Sequence, residues 1–100
     1  MKKSFSDKYG PYAVIAGASQ GIGESYAREI AKRGVNVVLI ARRVELLKEI
    51  ARDIREKQGV DAIPFQLDLT APDLLQKIKA KTQQYEVNLF VYNAALSSIG

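Results

Sequence analysis

Two rhythms of apolar and polar positions alternate along the chain. Short runs rich in apolar and β-branched residues fall at Tyr12–Ala16, Val35–Ile40, Asp61–Leu67 and Asn88–Tyr92. Between them lie longer stretches whose apolar residues recur every three or four positions. The short runs have the length of strands, and their near-continuous hydrophobicity predicts strands covered on both faces, as in a parallel sheet. The longer stretches predict amphipathic helices. In the first of these, Ile22, Tyr26 and Ile30 fall at i, i+4 and i+8 as one stripe, and Gly34 after Lys32-Arg33 supplies the stop. The second is expected over Val44–Lys57. Its buried stripe is Val44, Leu47, Ile50, Ala51 and Ile54, its solvent-side pairs are Glu45–Lys48, Arg52–Glu56 and Asp53–Lys57, and Gly59 ends it. The third is expected to open at Thr70-Ala71-Pro72-Asp73, with Thr70 as cap, and to run to about Gln83.

The resulting order is β-α-β-α-β-α-β. Right-handed crossovers make that a parallel sheet with helices on both faces. Two strand orders fit, the dinucleotide-binding order 3-2-1-4 and the flavodoxin-like order 2-1-3-4. Pro64 lies inside the third run, and a proline belongs on an edge strand, which selects 3-2-1-4. The expected fold class is therefore α/β, a Rossmann-type doubly wound sheet of four strands with about three helices. Residues 1–11 read as an N-terminal extension and residues 12–100 as one domain.

Composition narrows the chemistry. One hundred residues suit a single domain. The absence of cysteine and histidine removes disulfides, thiolate and Ser-His nucleophiles and the commonest metal ligands. No metal site is expected. No apolar run approaches the ~20 residues of a membrane helix, and Met1–Lys8 lacks the apolar core of a signal peptide. The expectation is a cytoplasmic protein without a membrane segment. The net charge is +4, but the bases alternate with acids and neither a recognition helix nor an aromatic platform is evident. No nucleic-acid partner is expected.

The most informative segment is Gly17-Ala18-Ser19-Gln20-Gly21-Ile22-Gly23, between the first strand and the first helix. Glycine there permits positive φ and close backbone approach to a ligand, and the helix N-terminus offers free N–H groups to a pyrophosphate. The spacing is G-x-x-x-G-x-G. With Ala16 before it, this stretch resembles the cofactor fingerprint of the short-chain dehydrogenase/reductase family, T-G-x-x-x-G-[AI]-G, Ala16 standing where the family has Thr. Asp68-Leu69-Thr70 resembles the family's segment after the third strand, whose Asp meets adenine. Asn93-Ala94-Ala95 resembles its N-A-G after the fourth strand, whose Asn steadies the sheet beside the cofactor. Tyr92 replaces a frequent Asn and Ala95 replaces the Gly, adding a methyl near the nicotinamide ribose. The resemblance covers about Tyr12 to Ala95. Glu24–Ala27 and Lys32–Leu39 are most similar to the branch of steroid and 3-oxoacyl-CoA reductases. It implies an oxidoreductase interconverting a ketone and a secondary alcohol, with a small carbonyl or alcohol substrate.

The cofactor preference is read at the end of the second strand. An NAD site places an acid there for the ribose 2′-OH. This chain has Ile40-Ala41-Arg42-Arg43, with no acid until Glu45. A guanidinium grips a 2′-phosphate with paired charge-assisted hydrogen bonds, so NADP(H) is expected over NAD(H), with Arg42 the main ligand, Arg43 supporting and Ser19 adding a hydroxyl. The competing reading of the arginines is a solvated helix start, which the helix dipole disfavours.

Within the resemblance, the proton donor is the Tyr of Tyr-x-x-x-Lys, helped by an upstream Ser. Four residues beyond Tyr9, Tyr12, Tyr26, Tyr85 and Tyr92 stand Ala13, Ala16, Ile30, Leu89 and Leu96. The motif is absent, so these 100 residues are expected to be the cofactor-binding N-terminal part of a reductase, catalytically incompetent alone and self-associating through an unpaired fourth strand. The alternative is a stand-alone, non-catalytic dinucleotide-binding module. An FMN or receiver module, and a nucleic-acid binder, are the further readings.

Overall fold

The computed structural model describes residues 4–19 and 21–92. Its elements are α1 (Phe5–Tyr9), β1 (Tyr12–Ala16), α2 (Gly21–Lys32), β2 (Asn36–Ala41), α3 (Val44–Gln58), β3 (Ala62–Gln66), α4 (Leu74–Lys81) and β4 (Val87–Tyr92). The strands form one parallel sheet in the order β3-β2-β1-β4. Pro64 sits on the edge strand, opposite Leu39, where its missing N–H leaves no gap inside the sheet. This order excludes the flavodoxin-like arrangement.

The strands are apolar on both sides because helices cover both. On one face Ala13 and Ile15 of β1 and Val37, Leu39 and Ala41 of β2 pack under α2 and α3, with Ala27, Ile30, Leu47, Ile50 and Ile54. On the other face Val14, Ala16, Val38 and Ile40 lie under α4, whose Leu74 and Ile78 are its buried residues. The two helices of the first face are joined by Arg28, which donates to Glu24 on its own helix and to Asp53 on α3. That contact holds the Asp53 carboxyl below its ordinary range. Lys57 adds to it from 3.3 Å. Of the pairs expected along α3, Arg52–Glu56 and Asp53–Lys57 form; Glu45–Lys48 is not among the ion pairs of the described residues.

Several expectations need correction. Of the stripe Ile22, Tyr26, Ile30, only Ile30 faces the core: Ile22 is 59% and Tyr26 51% exposed. The buried residues of α2 are Gly23, Ala27, Ile30 and Ala31. Small side chains let the helix lie close on the sheet, and a search for large apolar residues misses such a stripe. Residues 1–11 contain a fourth helix, α1. Its capping box joins Ser4 and Asp7, and Phe5 packs on the first-face core. Thr70 does not cap α4. The cap position is Asp73, without a side-chain cap bond, and the helix ends at Lys81. Among the described residues no helix is long and apolar enough to cross a membrane.

Candidate functional site

All four strands run parallel, so their C-terminal ends share one rim. The residues singled out in the sequence follow those ends: Gly17 after β1, Arg42 after β2 and Asp68 two residues beyond β3. The chain reverses its direction across the sheet between β1 and β4, and a crevice for ligands forms at such a switch point in open α/β sheets. The glycine turn stands there.

Gly17 has φ +86°, a conformation that favours glycine. Its N–H and that of Ala18 both donate to the Ile40 carbonyl, at 2.7 and 3.2 Å, tying the turn to the end of β2. Gly17 and Ala18 are buried, and Ser19 is half-buried. α2 then begins at Gly21. Gly21 and Ile22 are exposed and Gly23 is buried against the fold. A Cβ built on Gly21 meets no atom within 4 Å. Open space over the first turn of a helix of this length is what an incoming pyrophosphate requires. The residues present therefore fit a dinucleotide. Gln20, Asn93, Ala94 and Ala95 lie outside the described residues.

At the end of β2, Arg42 and Arg43 are exposed. Among the described residues neither makes an ion pair. Arg43 is the cap residue of α3 and makes no side-chain cap bond, since a guanidinium has no acceptor for the free N–H groups. The Arg42 backbone is fixed instead: its carbonyl accepts from Gln66 Nε2 at 2.9 Å, and Leu67 N–H donates to Ala41 at 3.1 Å. These bonds clamp the ends of β2 and β3 together.

Asp68 is exposed and Leu69 half-buried in the second-face core. Asp68 Oδ1 accepts from the Thr70 hydroxyl at 2.7 Å and from the Thr70 N–H at 2.9 Å. Those bonds, the hydroxyl first, hold its carboxyl below the ordinary range, and the positive charges of Arg42 and Lys77 add to them. Asp68 is thus an ionised acceptor whose Oδ1 is held by Thr70. Sequence reasoning missed Gln66 and the orienting role of Thr70. The second was visible in Asp-x-Thr, a pattern that closes an Asx turn; the first had no local signal. Among the described residues no cluster of acids suits a metal ion.

The fold agrees with the comparisons to known proteins. The family model described as short chain dehydrogenase matches residues 11–100.

The chain belongs to the short chain dehydrogenase family.

It is 42% identical over 96 residues to human 17-beta-hydroxysteroid dehydrogenase type 3, covering 96% of this chain and 31% of that protein. It is 39% identical over 90 residues to the very-long-chain 3-oxoacyl-CoA reductase of Rattus norvegicus, covering 90% of this chain and 29% of that protein. These names match the branch to which the sequence is most similar. A short-chain dehydrogenase from Sphingobium yanoikuyae, solved in complex with NADPH, superposes with a TM-score of 0.69 at 34% identity, covering 82% of this chain and 32% of that one. The chain spans about a third of the length of these family members.

Proposed function

We propose that this chain is the NADP(H)-binding portion of a short chain dehydrogenase that interconverts a ketone and a secondary alcohol. The observation that carries the cofactor preference is the end of β2, where Arg42 and Arg43 stand exposed and no acid is present to receive a ribose 2′-OH. An acid there would repel a 2′-phosphate; Arg42 binds one bidentately, Arg43 adds charge and Ser19 a hydroxyl. Gly17, Gly21 and Gly23 leave room for the pyrophosphate, with Gln20 and Ile22 flanking it. Asp68 and Leu69 receive the adenine end, and Asn93, Ala94 and Ala95 belong beside the nicotinamide half. NADP(H), when bound, supplies or accepts hydride. The residues of this chain bind and orient it and carry no proton donor for the alkoxide, since Tyr-x-x-x-Lys is absent. The solved NADPH complex of a related dehydrogenase supports the reading.

Titration calorimetry of the 100-residue chain with NADPH and NADH tests it. NADPH is expected to bind more tightly, and Arg42→Ala to weaken NADPH about 10- to 100-fold, the equivalent of one or two charge-assisted hydrogen bonds, while leaving NADH nearly unchanged. Equal affinities with a silent Arg42→Ala would overturn the preference. The chain alone is expected to sustain no NADPH oxidation with a panel of ketones; steady turnover would refute its incompetence.

A further inference from the structure

A single residue, Arg42, stands between the last residue of β2, Ala41, and the cap residue of α3, Arg43. The Ala41 carbonyl accepts from the Leu67 N–H, and the Arg43 carbonyl accepts from Leu47 inside α3. Among the described residues no backbone N–H donates to the carbonyl between them. Its partner is a side chain: Gln66 Nε2 donates to the Arg42 carbonyl at 2.9 Å.

The alternation along β3 explains how Gln66 comes to be there. Ile63, Phe65 and Leu67 pack on the second-face core, so Gln66 belongs to the first face. It is in register with Ala41, one position short of Arg42. The two methylenes of a glutamine carry its amide across that step. Gln66 is exposed and belongs to neither core cluster. Packing therefore does not account for it, and its one recorded side-chain bond is to the residue that carries the cofactor preference.

The other parts of the rim are tethered separately. The glycine turn is tied to the Ile40 carbonyl through Gly17 and Ala18, and Asp68 is held by Thr70. Releasing the Arg42 carbonyl leaves both tethers in place. It frees only the peptide from which the Arg42 side chain departs. Paired guanidinium–phosphate bonds are directional, and every torsion left loose at the root of the side chain must be ordered when they form.

We propose, on the basis of the NADP(H) reading above, that Gln66 is a positioning residue for Arg42: its amide fixes the backbone from which the guanidinium reaches a 2′-phosphate, and so sets the discrimination between NADPH and NADH. Both residues are exposed, so in the free protein water replaces the bond when the amide is removed and folding stability changes little. The loss falls on the binding of the phosphorylated dinucleotide.

Titration calorimetry of the 100-residue chain and its Gln66→Met variant tests this, since methionine keeps the length and removes the donor. NADPH is expected to bind about 3- to 10-fold more weakly, the worth of one hydrogen bond, and NADH to change by less than about 2-fold. In an Arg42→Ala background Gln66→Met is expected to change neither, because the two substitutions remove the same contact. Thermal unfolding verifies the fold of each variant, and Gln66→Ala, at the same exposed position, is expected to repeat the result. Equal weakening of NADPH and NADH, or a loss that persists without the Arg42 side chain, would show a general structural role and overturn the proposal. So would NADPH binding unchanged in Gln66→Met where Arg42→Ala weakens it. A silent Arg42→Ala, or no binding of either dinucleotide, would instead overturn the cofactor reading itself, and the role of Gln66 with it.

Discussion

The face of the sheet under α2 and α3 and the face under α4 are covered to different extents. On the first, two helices of 12 and 15 residues lie side by side, tied by Arg28 to Glu24 and Asp53. α1 adds Phe5. On the second, the described residues supply one eight-residue helix, and Phe90 and Tyr92 are half exposed at the β4 side. Alternating strand residues of nearly equal hydrophobicity thus meet unequal surroundings. The lesson concerns cavities. A gap in a surface closed all round stays open, whereas one beside an open margin can be filled by a shift of the neighbouring helix.

Leu47→Ala and Ile78→Ala sharpen that contrast most. Leu47 of α3 is fully buried and Ile78 of α4 is nearly so. Urea denaturation is expected to show about 3–5 kcal/mol lost at Leu47 and about 2 kcal/mol at Ile78, the two ends of the range for such truncations. Equal losses would mean that the second face is packed as rigidly as the first.

A smaller effect is expected where the covering helices end. α3 stops at Gly59, with φ +68°. A Cβ built there meets nothing within 4 Å, so Gly59→Ala carries only the backbone penalty of the left-handed region, about 1 kcal/mol. α4 stops at Thr82 with φ −110°, where Thr82 Oγ1 donates to the Ile78 carbonyl at 2.8 Å. Thr82→Ala is expected to lose that bond and no conformational freedom, about 0.5–1 kcal/mol. Thermal midpoints of both variants check the order.

The smallest effect is in acid. Asp53 joins the helices of the first face, and Asp68 holds the turn before α4; both carboxyls lie below their ordinary range, through Arg28 and Thr70 respectively. A depressed carboxylate adds stability above its unfolded pKa near 4, and that share is lost as pH falls through the folded value. Thermal midpoints measured from pH 6 to pH 3 are expected to fall below about pH 4, and less steeply in Asp53→Asn. An unchanged slope in that variant would show that solvent already screens the Arg28 contact.

Much of this molecule was legible along the chain because its strongest signals are local. The four apolar runs became β1 to β4 with shifts of a residue or so at their ends, and Pro64 indicated the edge because a missing N–H matters wherever that strand is placed. Gly17 took positive φ, and so did Gly59 at the end of α3. α1 escaped notice because five residues are too few for an apolar stripe to show, although Ser4 and Asp7 already had the spacing of a capping box. Ile22 and Tyr26 misled because hydrophobicity records what a side chain avoids, and not whether anything in this fold lies opposite it.

The sequence by itself determined the alternation of strands and helices, the glycine turn, and the pair of arginines with no acid near. Each depends on residue type and spacing alone. Only the tertiary structure decided that Gly23, Ala27 and Ala31 rather than Ile22 and Tyr26 form the inner face of α2, since close approach to β1 and β2 selects small side chains. It alone placed Gln66 on the Arg42 carbonyl and Arg28 on Asp53, joining residues 24 and 25 positions apart. Contacts of that range follow from the order and register of the strands, which no stretch of sequence expresses locally.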